Sequence, residues 1–581
     1  MSYCKNVLLV LLLTLGPIAQ SHGQGPFRLW QSYIEAYGQT GSDNVGQLQL
    51  MAPLGQSERS LLFLDLRGNL GEGKAEGNWG LAFRHFFTND CIVGAYGFYD
   101  LRRTQNNNNF SQATFGAELL SIRWDARING YLPENTGKGL GKENGAELLN
   151  GNIIVRTQEE RALPGLDFEV GRFFASWQTG KMDVALRGYV GAYHFDRTDD
   201  NASAIAGPRA GLELRLFDLD LLGGGSRVTL AGQVQRDSVR GTQGLAMVSL
   251  RVPLGIRTGR RGPKLTPLGH RMVDRIVRDI DVVTTAVSVS EAAINARTGN
   301  LITGAAVVQA GGDLPGTSTK LGANSVLFLD GSKGAIATTA TTNVHNGQEV
   351  MGGGSKLQVI GASSGARATF TAPGTRATVN AAGATAFTLT NITHAQIQAV
   401  DIATTGNNAR GIVNDSSSNS NSFSNVTIAT SGNDAYGIFN SSSNSNSFSN
   451  ATITTTGNTE AHGIYTYLDS SNNSFSSATI ATTGVFNHGI RNVSNSNNNS
   501  YTSINVTKAS GHGIVISDSS GITLNTSVFT HITSNVVNLT NATTLSGSGN
   551  VATSPFGNFF SQSGSTGSIG FTVNGVPTTA P

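Results

Sequence analysis

Three histidines recur at equivalent positions in the C-terminal half of this 581-residue chain, and each is followed directly by Gly-Ile. They are His462, His488 and His512, spaced 26 and 24 residues apart. Imidazoles that lie close together can bind a metal ion or form a patch whose charge depends on pH. A metal site needs further ligands at the proper distance. Identical residues at equivalent turns of a repeat often reflect only divergence of the repeated units. The three histidines are therefore weak candidates for a metal site.

The element that must position these histidines is an internal repeat. The dipeptide Gly-Ile recurs five times between residues 411 and 514, and an aromatic residue and a short alternating strand complete most units. Three short strands in about 26 residues predict one coil of a right-handed parallel β-helix, with Ser and Asn in turns and on the outside. Stacking of the coils would bury one isoleucine ladder. Its members are Ile412, Ile438, Ile464, Ile490 and Ile514.

We expect this β-helix over residues 325–581, and the alternative is disordered low-complexity sequence. The repeat weakly resembles the fold of pectate lyases and related polysaccharide enzymes, whose chemistry needs clustered carboxylates. The aspartates beyond residue 400 fall at different offsets from the Gly-Ile register. They are Asp401, Asp415, Asp434, Asp469 and Asp518. We therefore predict no catalytic residue, no cofactor and no enzymatic activity; a polysaccharide-degrading enzyme is kept as an alternative.

The N-terminal sequence predicts the cellular destination of the protein. Residues 1–23 combine Lys5, an apolar run from Val7 to Leu15 and small residues before Gln24. This pattern is typical of a secretory signal peptide, and its apolar run is too short to span a bilayer as a helix. The exported chain would keep one cysteine, Cys91, so we expect no intrachain disulfide framework. Lysines and arginines number 40 against 38 acidic residues, which gives no reason to expect a nucleic-acid partner.

All four tryptophans lie before residue 260, in segments that alternate with a period of two. In SIRWDARINGYL, Trp124, Ile128 and Leu132 share one face, while Asp125 and Arg127 share the other. About twelve such segments lie between residues 31 and 253. One apolar face and one face with charges of both signs predict an antiparallel transmembrane β-barrel over 27–255. A soluble β-sandwich or barrel is the alternative.

The run from Cys91 to Pro133, CIVGAYGFYDLRRTQNNNNFSQATFGAELLSIRWDARINGYLP, resembles the core signature of the inverse autotransporter barrel of the intimin and invasin family. The signature positions are Tyr99, Asp100, Gly116, Glu118, Asn129 and Tyr131. The segment VSLRVPLG, from Val248, is similar to the last strand of that family. The resemblance implies a periplasmic N-terminus and a C-terminal passenger exported through the barrel. Two departures from the family pattern are the short stretch before the barrel, which leaves no room for a periplasmic peptidoglycan-binding module, and the lack of immunoglobulin-like repeats.

A linker at 256–283 follows the barrel. Met272, Val273, Ile276, Val277 and Ile280 recur at helical spacing, with charged residues on the other side. This spacing predicts a short helix in the barrel lumen, and a solvated hinge helix is the alternative. The basic run from Arg257 to Lys264 reads as a solvated linker. We expect an irregular connector at 284–324.

The sequence thus predicts an all-β protein of the outer membrane of a Gram-negative bacterium, with its passenger on the cell surface. We expect an inverse autotransporter that anchors and exports its own β-helical passenger, an adhesin or surface-interaction module. Its expected partners are outer-membrane lipid, the outer-membrane assembly machinery and an unknown host, glycan or cell-surface ligand. The competing hypothesis is a porin-like channel, because the barrel has a polar lumen.

Overall fold

The computed structural model describes residues 30–134, 136–141, 144–179, 182–197, 204–219, 221–222, 224–254, 265–279, 281–541, 544–564 and 569–580. The predicted signal peptide and the basic run 257–264 lie outside these residues. The chain divides into two compact units. Unit 1 contains residues 1–141 and 158–288, and unit 2 contains residues 142–157 and 289–581.

Unit 1 is a closed antiparallel barrel of 12 strands, as the alternating pattern predicts. Each strand pairs with its neighbour in the ring, and the first strand closes the ring by pairing with the last. In chain order the first seven are β1 (Tyr33–Gly41), β2 (Val45–Gln56), β3 (Ser60–Gly71), β4 (Lys74–Thr88), β5 (Cys91–Arg103), β6 (Asn109–Ser121) and β7 (Trp124–Pro133). Three strands outside the ring follow, β8 (Lys138–Gly139), β9 (Gly145–Leu149) and β10 (Asn152–Ala162). The ring is completed by β11 (Gly165–Thr179), β12 (Met182–Phe195), β13 (Ile205–Phe217), β14 (Arg227–Asp237) and β15 (Gly241–Pro253).

The two faces of the barrel strands differ sharply in polarity. Large apolar side chains on the outer face are exposed. They include Trp79, Leu81, Phe83, Leu101, Phe115, Trp124, Ile128, Leu132, Val190, Leu212 and Val248. The alternating positions point into the barrel and are buried although they are charged. They include Glu35, Asp65, Arg67, Arg84, Asp100, Glu118, Asp125, Arg127, Asp167, Glu169, Arg187, Arg215, Arg227 and Arg251. Within the described residues, no helix is both long and apolar enough to cross a bilayer.

Unit 2 is a parallel β-solenoid in which most coils add one strand to each of three sheets, and its last strand, Val576–Ala580, pairs antiparallel with the strand before it. The first sheet contains Ala305–Val308, Val326–Leu329, Glu349–Gly352, Gln396–Gln398, Ser422–Ser424, Ser447–Ser449, Ser474–Ser476, Ser500–Thr502, Ile522–Asn525 and Leu545–Ser546. The second contains Ile336–Thr338, Ala377–Ala382, Val400–Thr405, Thr427–Ser431, Thr452–Thr455, Thr479–Thr482, Asn505–Lys508, Val528–Ile532, Asn550–Phe556, Ile569–Val573 and Val576–Ala580. The third contains Thr342–Asn343, Phe387–Thr390, Ile412–Asp415, Ile438–Ser441, Ile464–Tyr467, Ile490–Val493, Ile514–Ser517, Val537–Thr540 and Phe560–Ser563.

The ladder residues pair in register from coil to coil and are fully buried. A second column inside the solenoid stacks Phe423, Phe448, Phe475 and Tyr501, with ring centroids 4.5, 4.6 and 5.1 Å apart. The glycine before each ladder isoleucine is required for packing: a Cβ on Gly437 would lie 2.3 Å from Ile453 Cγ2 and 2.7 Å from the Gly463 carbonyl oxygen. Burial of these columns supplies a core that no single coil could form.

Residues 284–324 differ from the irregular connector that we expected. They contain strand β16 (Thr284–Asn295), the first solenoid strand at Ala305–Val308 and a helix at Leu314–Leu321 that Asp313 caps. A short 3-10 helix follows at Gly331–Lys333. The solenoid sheets therefore begin before Ser325. The sequence did not indicate this start, because the first coils lack the Gly-Ile register that marks the later ones. Beside these coils, the strands Lys356–Gly361 and Arg367–Thr371 pair antiparallel, and the end of β16 pairs with the first of them.

Candidate functional site: the barrel interior and its linker

The linker after the barrel begins with a helix of one turn and a half, α1 (Pro267–Arg271). Thr266 is its N-cap, and the Thr266 hydroxyl accepts a hydrogen bond from the Gly269 amide at 3.0 Å. From Met272 to Asp279 the described chain is not helical. The linker thus contains the short helix that we predicted, but at Pro267–Arg271 rather than over the apolar residues whose spacing suggested it. The extended linker leaves its carbonyl oxygens free, and the barrel interior supplies the donors that a helix would have supplied itself.

Arginines on the inner face of the barrel donate to the backbone of the linker. Arg84 Nη1 lies 2.9 Å from the Met272 carbonyl oxygen and 2.7 Å from that of Asp274. Arg251 Nη1 donates to the Val273 carbonyl oxygen at 2.7 Å. Arg67 Nη2 donates to the Ile276 carbonyl oxygen at 2.9 Å. Backbone recognition of this kind fixes the path of the linker, since it depends on main-chain position rather than on side-chain identity.

Ion pairs add a second set of contacts. Asp274 of the linker lies between Arg227 and Arg215, at 2.6 and 3.2 Å. Arg271 pairs with Asp125 at 2.8 Å. All of these side chains are nearly inaccessible to solvent. Because a buried charge without a partner is costly, each pair favours a single position of the linker.

The apolar residues of the linker pack at one end of the barrel. Leu268, Met272, Val273 and Ile276 join a buried cluster that the barrel supplies with aromatic and aliphatic side chains. The barrel members include Trp30, Tyr33, Met51, Leu61, Phe63, Ile92, Tyr96, Phe98 and Leu120. Of the residues whose spacing suggested a helix, Met272, Val273 and Ile276 face this cluster, Val277 is not part of it, and Ile280 lies outside the described residues.

The linker runs from one end of the barrel to the other. At its start, Trp30 Nε1, just before β1, donates to the Gly269 carbonyl oxygen at 3.3 Å. At its end, Asp281 pairs at 2.7 Å with Lys74, the first residue of β4. The Val282 amide donates to Glu76 Oε2 at 3.0 Å. Since β1 starts at the first end and β4 starts at the opposite end, residues 269–282 traverse the interior.

Most of the predicted signature residues line this path. Asp100 binds Arg278 through both carboxylate oxygens, at 2.7 and 3.1 Å. Asn129 Nδ2 donates to the Val277 carbonyl oxygen at 3.2 Å, and the Tyr131 hydroxyl accepts from the Asp279 amide at 2.7 Å. Glu118 acts through Arg84, which it contacts at 2.5 Å.

Gly116 and Tyr99 have other roles. A Cβ on Gly116 would lie 2.2 Å from the Tyr96 ring and 2.6 Å from Asn129 Oδ1, so glycine leaves space for both. Tyr99 points outward, is 54% exposed and lies beside Trp79 with ring centroids 6.3 Å apart. The structure therefore brings Asp100, Glu118 and the residues of β7 to the linker and leaves Tyr99 on the outer face.

The linker does not fill the barrel completely. A cavity of about 390 Å³ remains beside it, lined largely by polar and charged side chains from β1 and β11–β15. Arg209, Arg240, Arg275 and Gln233 are among them. This polar lining can hold water next to the linker.

The inward arginines were not identified as functional residues from the sequence. Arg84 occurs in RHFF, a segment interpreted from its aromatic residues alone, although its position in the alternation faces the barrel interior. The alternation could have indicated Arg67 and Arg84 as inward residues. It could not have indicated that they bind main-chain carbonyl groups.

The three histidines of the solenoid form a column, as the repeat predicts for their placement. The rings of His462 and His488 lie 4.7 Å apart and those of His488 and His512 5.1 Å apart, measured between centroids. Each Nδ1 accepts a backbone amide from the next coil, at 3.1 Å for His462, 2.9 Å for His488 and 3.0 Å for His512. An accepting Nδ1 carries no proton, so the rings act as neutral links between coils.

Burial and neighbouring positive groups make protonation of this column unfavourable. Burial lowers the pKa of His488 to about 3, with smaller contributions from His512 and Arg491. Burial, followed by His488 and Arg491, holds the pKa of His462 well below its ordinary value. Burial also lowers the pKa of His512. Across the described residues, no group of three or more His, Cys, Asp or Glu side chains is arranged to hold a metal ion.

The closed ring, the apolar outer face and the charged interior define a transmembrane β-barrel of the outer-membrane type, with the following segment of the chain in its lumen. Residues 31–219 match the family model described as the inverse autotransporter β-domain. The barrel is accordingly an inverse autotransporter β-domain, and a parallel β-solenoid follows it in the chain. No curated protein shows significant sequence similarity to the chain.

Solved structures resemble the two units at low identity. The β-domain of the Bordetella autotransporter BrkA is 11% identical, with a TM-score of 0.24, over 39% of this chain and 99% of that chain. The Acinetobacter baumannii outer membrane protein Omp33 is 11% identical, with a TM-score of 0.20, over 39% and 98%. The A-module of the Azotobacter vinelandii mannuronan C-5 epimerase AlgE4 is 11% identical, with a TM-score of 0.30, over 45% and 71%. Similarity at this level supports no functional argument.

Proposed function

We propose that the barrel exports the solenoid of its own chain and anchors it at the surface of a Gram-negative cell, with the N-terminus in the periplasm. The observation that carries this proposal is the linker inside the barrel. With 12 strands, β1 starts and β15 ends at the same end. The chain then passes through the interior to the opposite end. A passenger exported through the barrel would leave its linker along this path.

The connections between strands support the orientation. At the end where the linker leaves the barrel, the connections include residues 134–164 and 196–204. At the other end most are very short, such as 89–90 and 122–123, with 218–226 as the longest. Outer-membrane barrels have short periplasmic turns and longer extracellular loops. The linker therefore leaves on the extracellular side in this proposal.

The solenoid suits a role in surface interaction. Its isoleucine and aromatic columns are buried, while side chains such as Thr427, Thr452 and Thr479 are largely exposed on the outside. We propose an adhesin or surface-interaction module that binds a host, glycan or cell-surface ligand and has no enzymatic activity. Outer-membrane lipid contacts the apolar belt of the barrel, and the outer-membrane assembly machinery inserts it.

An epitope placed after Pro581 tests the export proposal. We expect antibody to label the epitope equally on intact and on permeabilised cells, after normalisation to total protein from lysates. An epitope placed in the short turn at Arg123 serves as the periplasmic control and should require permeabilisation. Labelling of the Pro581 epitope only after permeabilisation would contradict export.

A porin-like channel is the second candidate function, and the polar cavity beside the linker favours it. In this alternative the barrel conducts ions while the linker is in place. The two functions make opposite predictions for the conductance of the intact protein.

A further inference from the structure

The connection between β7 and β11 of the barrel does more than join two strands. Within it, residues 142–157 belong to unit 2 rather than to the barrel. They form a hairpin in which β9 pairs with residues 152–156 of β10. We call residues 145–156 the cap hairpin.

The cap hairpin packs against the outer face of the first solenoid coils. Ile153 and Val155 are 1% and 0% exposed. They belong to one buried cluster with Ala305 of the first solenoid strand and with Phe328 and Phe370, whose rings stack 5.0 Å apart. Phe328 alternates with Leu327 and Leu329, which face the solenoid interior, so this cluster covers the outer face of the first coils. Without the cap hairpin, part of that apolar face would be open to water.

The same hairpin also provides backbone partners. The first solenoid strand, Ala305–Val308, is the edge of its sheet. Its Ala305 amide donates to the Gly151 carbonyl oxygen, in the turn of the cap hairpin, at 2.7 Å. In the adjacent antiparallel sheet, β16 lies between β10 and the strand Lys356–Gly361. Asn144 Nδ2 donates to the Arg367 carbonyl oxygen at 3.2 Å. An exposed strand edge is a liability of a sheet, and the hairpin shields this edge as well as the outer apolar face of the first coils.

We propose that the cap hairpin is a folding template that the barrel sequence supplies to its own passenger. The outer apolar face of the first coils is buried on Ile153 and Val155, and each later coil then stacks on the coil before it. Solenoid stability is a sum of nearest-neighbour interfaces, so the loss of the first interface delays every later one. This role rests on the proposed export, because the passenger must reach the side of the membrane on which the connection between β7 and β11 lies before its first coil can form on the hairpin.

The charged side chains of the hairpin lie at the surface, which leaves its apolar face for packing against the solenoid. Its charged side chains, Glu147 and Arg156, pair with each other and lie at the surface. Ile153 faces the core, while its neighbour Asn152 is exposed. The two positions therefore give a matched test pair on one strand.

The test uses the full chain in intact cells and compares Ile153→Asp with Asn152→Asp. Barrel assembly is read from the shift of the unboiled protein in gel electrophoresis, and passenger folding from protease resistance of the solenoid. We expect both variants to assemble the barrel. Ile153→Asp should lose the resistant solenoid fragment and label a Pro581 epitope several-fold less, whereas Asn152→Asp should behave as the unmodified chain.

Wild-type protease resistance and labelling in Ile153→Asp with an assembled barrel would overturn the template role and leave export intact. If that variant fails to assemble its barrel, Val155→Ala replaces it. The expected result is then slower acquisition of protease resistance in a pulse-chase experiment, and an unchanged rate would overturn the proposal. Failure of export itself is recognised separately, because the unmodified chain would then show no epitope on intact cells, while protease resistance in permeabilised cells would still report on the cap.

Discussion

Asp100 in strand β5 and Arg278 in the linker form a bidentate ion pair across the barrel interior, with Nη2–Oδ1 and Nη1–Oδ2 distances of 2.7 and 3.1 Å. The two side chains are 0% and 2% exposed. Asp100 also accepts hydrogen bonds from Thr114 and Asn78, at 2.6 and 2.8 Å. The pair thus joins the linker to a prearranged site of the barrel wall.

Removal of one partner should destabilise the barrel. Arg278→Ala leaves the Asp100 carboxylate buried without its cation, which costs about 3–5 kcal/mol in buried pairs. We expect a lower temperature for loss of the folded band of the unboiled protein in gel electrophoresis. Arg103→Ala, at an exposed position at the end of the same strand, is the control. The double variant Asp100→Asn with Arg278→Ala should be less destabilised than the sum of the single variants, and strict additivity would argue against the pair.

The linker should block the pore. Because the linker runs the length of the interior and buries side chains such as Met272, Asp274, Ile276 and Arg278 there, the intact protein should show little steady conductance in planar bilayers. Deletion of residues 257–283 should raise the conductance, because the cavity beside the linker would widen into a continuous path. High steady conductance of the intact protein would instead support the porin-like function.

The isoleucine ladder should control export as well as stability. Ile464 is fully buried and pairs in register with Ile438 and Ile490. Ile464→Asp places a carboxylate without a partner in the core and should cost several kcal/mol, on the order of the penalties for buried charge. Thr452→Asp, on the exposed face, is the matched control. We expect surface labelling of a Pro581 epitope to fall only for Ile464→Asp, and equal labelling of the two variants would contradict folding-driven export.

The histidine column should make the solenoid sensitive to acid. In the unfolded chain a histidine binds a proton below its ordinary pKa of about 6.5, whereas burial keeps His488 neutral in the folded state down to about pH 3. The unfolded state then binds more protons, so the free energy of unfolding falls as the pH drops below about 6.5. Each histidine contributes at most about 1.4 kcal/mol per pH unit.

Urea midpoints of the protease-resistant solenoid at pH 7 and pH 5 measure this effect. His488→Asn should reduce the difference between the two midpoints, since the amide oxygen can still accept the His512 amide without titrating. His531→Asn is the control, because His531 is exposed and takes a positive φ of 53°, a conformation that asparagine tolerates. If the pH dependence of the urea midpoint is unchanged in His488→Asn, the histidine column is not its cause.

Patterns of short period were sufficient to predict both folds. Period-two alternation, as at Trp124 and Asp125, fixes which side chains face the membrane and which face the interior. The Gly-Ile repeat fixes the register of Ile464 with its neighbours, because identical units stack in only one way. Both predictions depend on residues that are close in the sequence or are exact repeats of each other.

Contacts between distant and unlike segments were not predictable. Met272 and Ile276 have helical spacing. The path of the linker nevertheless depends on Arg67 and Arg84, which are about 200 residues away in the chain and donate hydrogen bonds to its carbonyl oxygens. Ile153 lies in an ordinary alternating strand, and nothing in its spacing distinguishes a barrel strand from a cap on the solenoid.

Labelling of single cysteines with a membrane-impermeant maleimide tests the central claim most directly. In a Cys91→Ser background, Asn106→Cys reports on the end where the linker leaves the barrel, Arg123→Cys on the opposite end and Thr452→Cys on the solenoid. All three positions are exposed. Export through the barrel predicts that Asn106→Cys and Thr452→Cys react on intact cells, while Arg123→Cys reacts only after permeabilisation. Reaction of Arg123→Cys on intact cells, with Thr452→Cys protected until permeabilisation, would contradict the account.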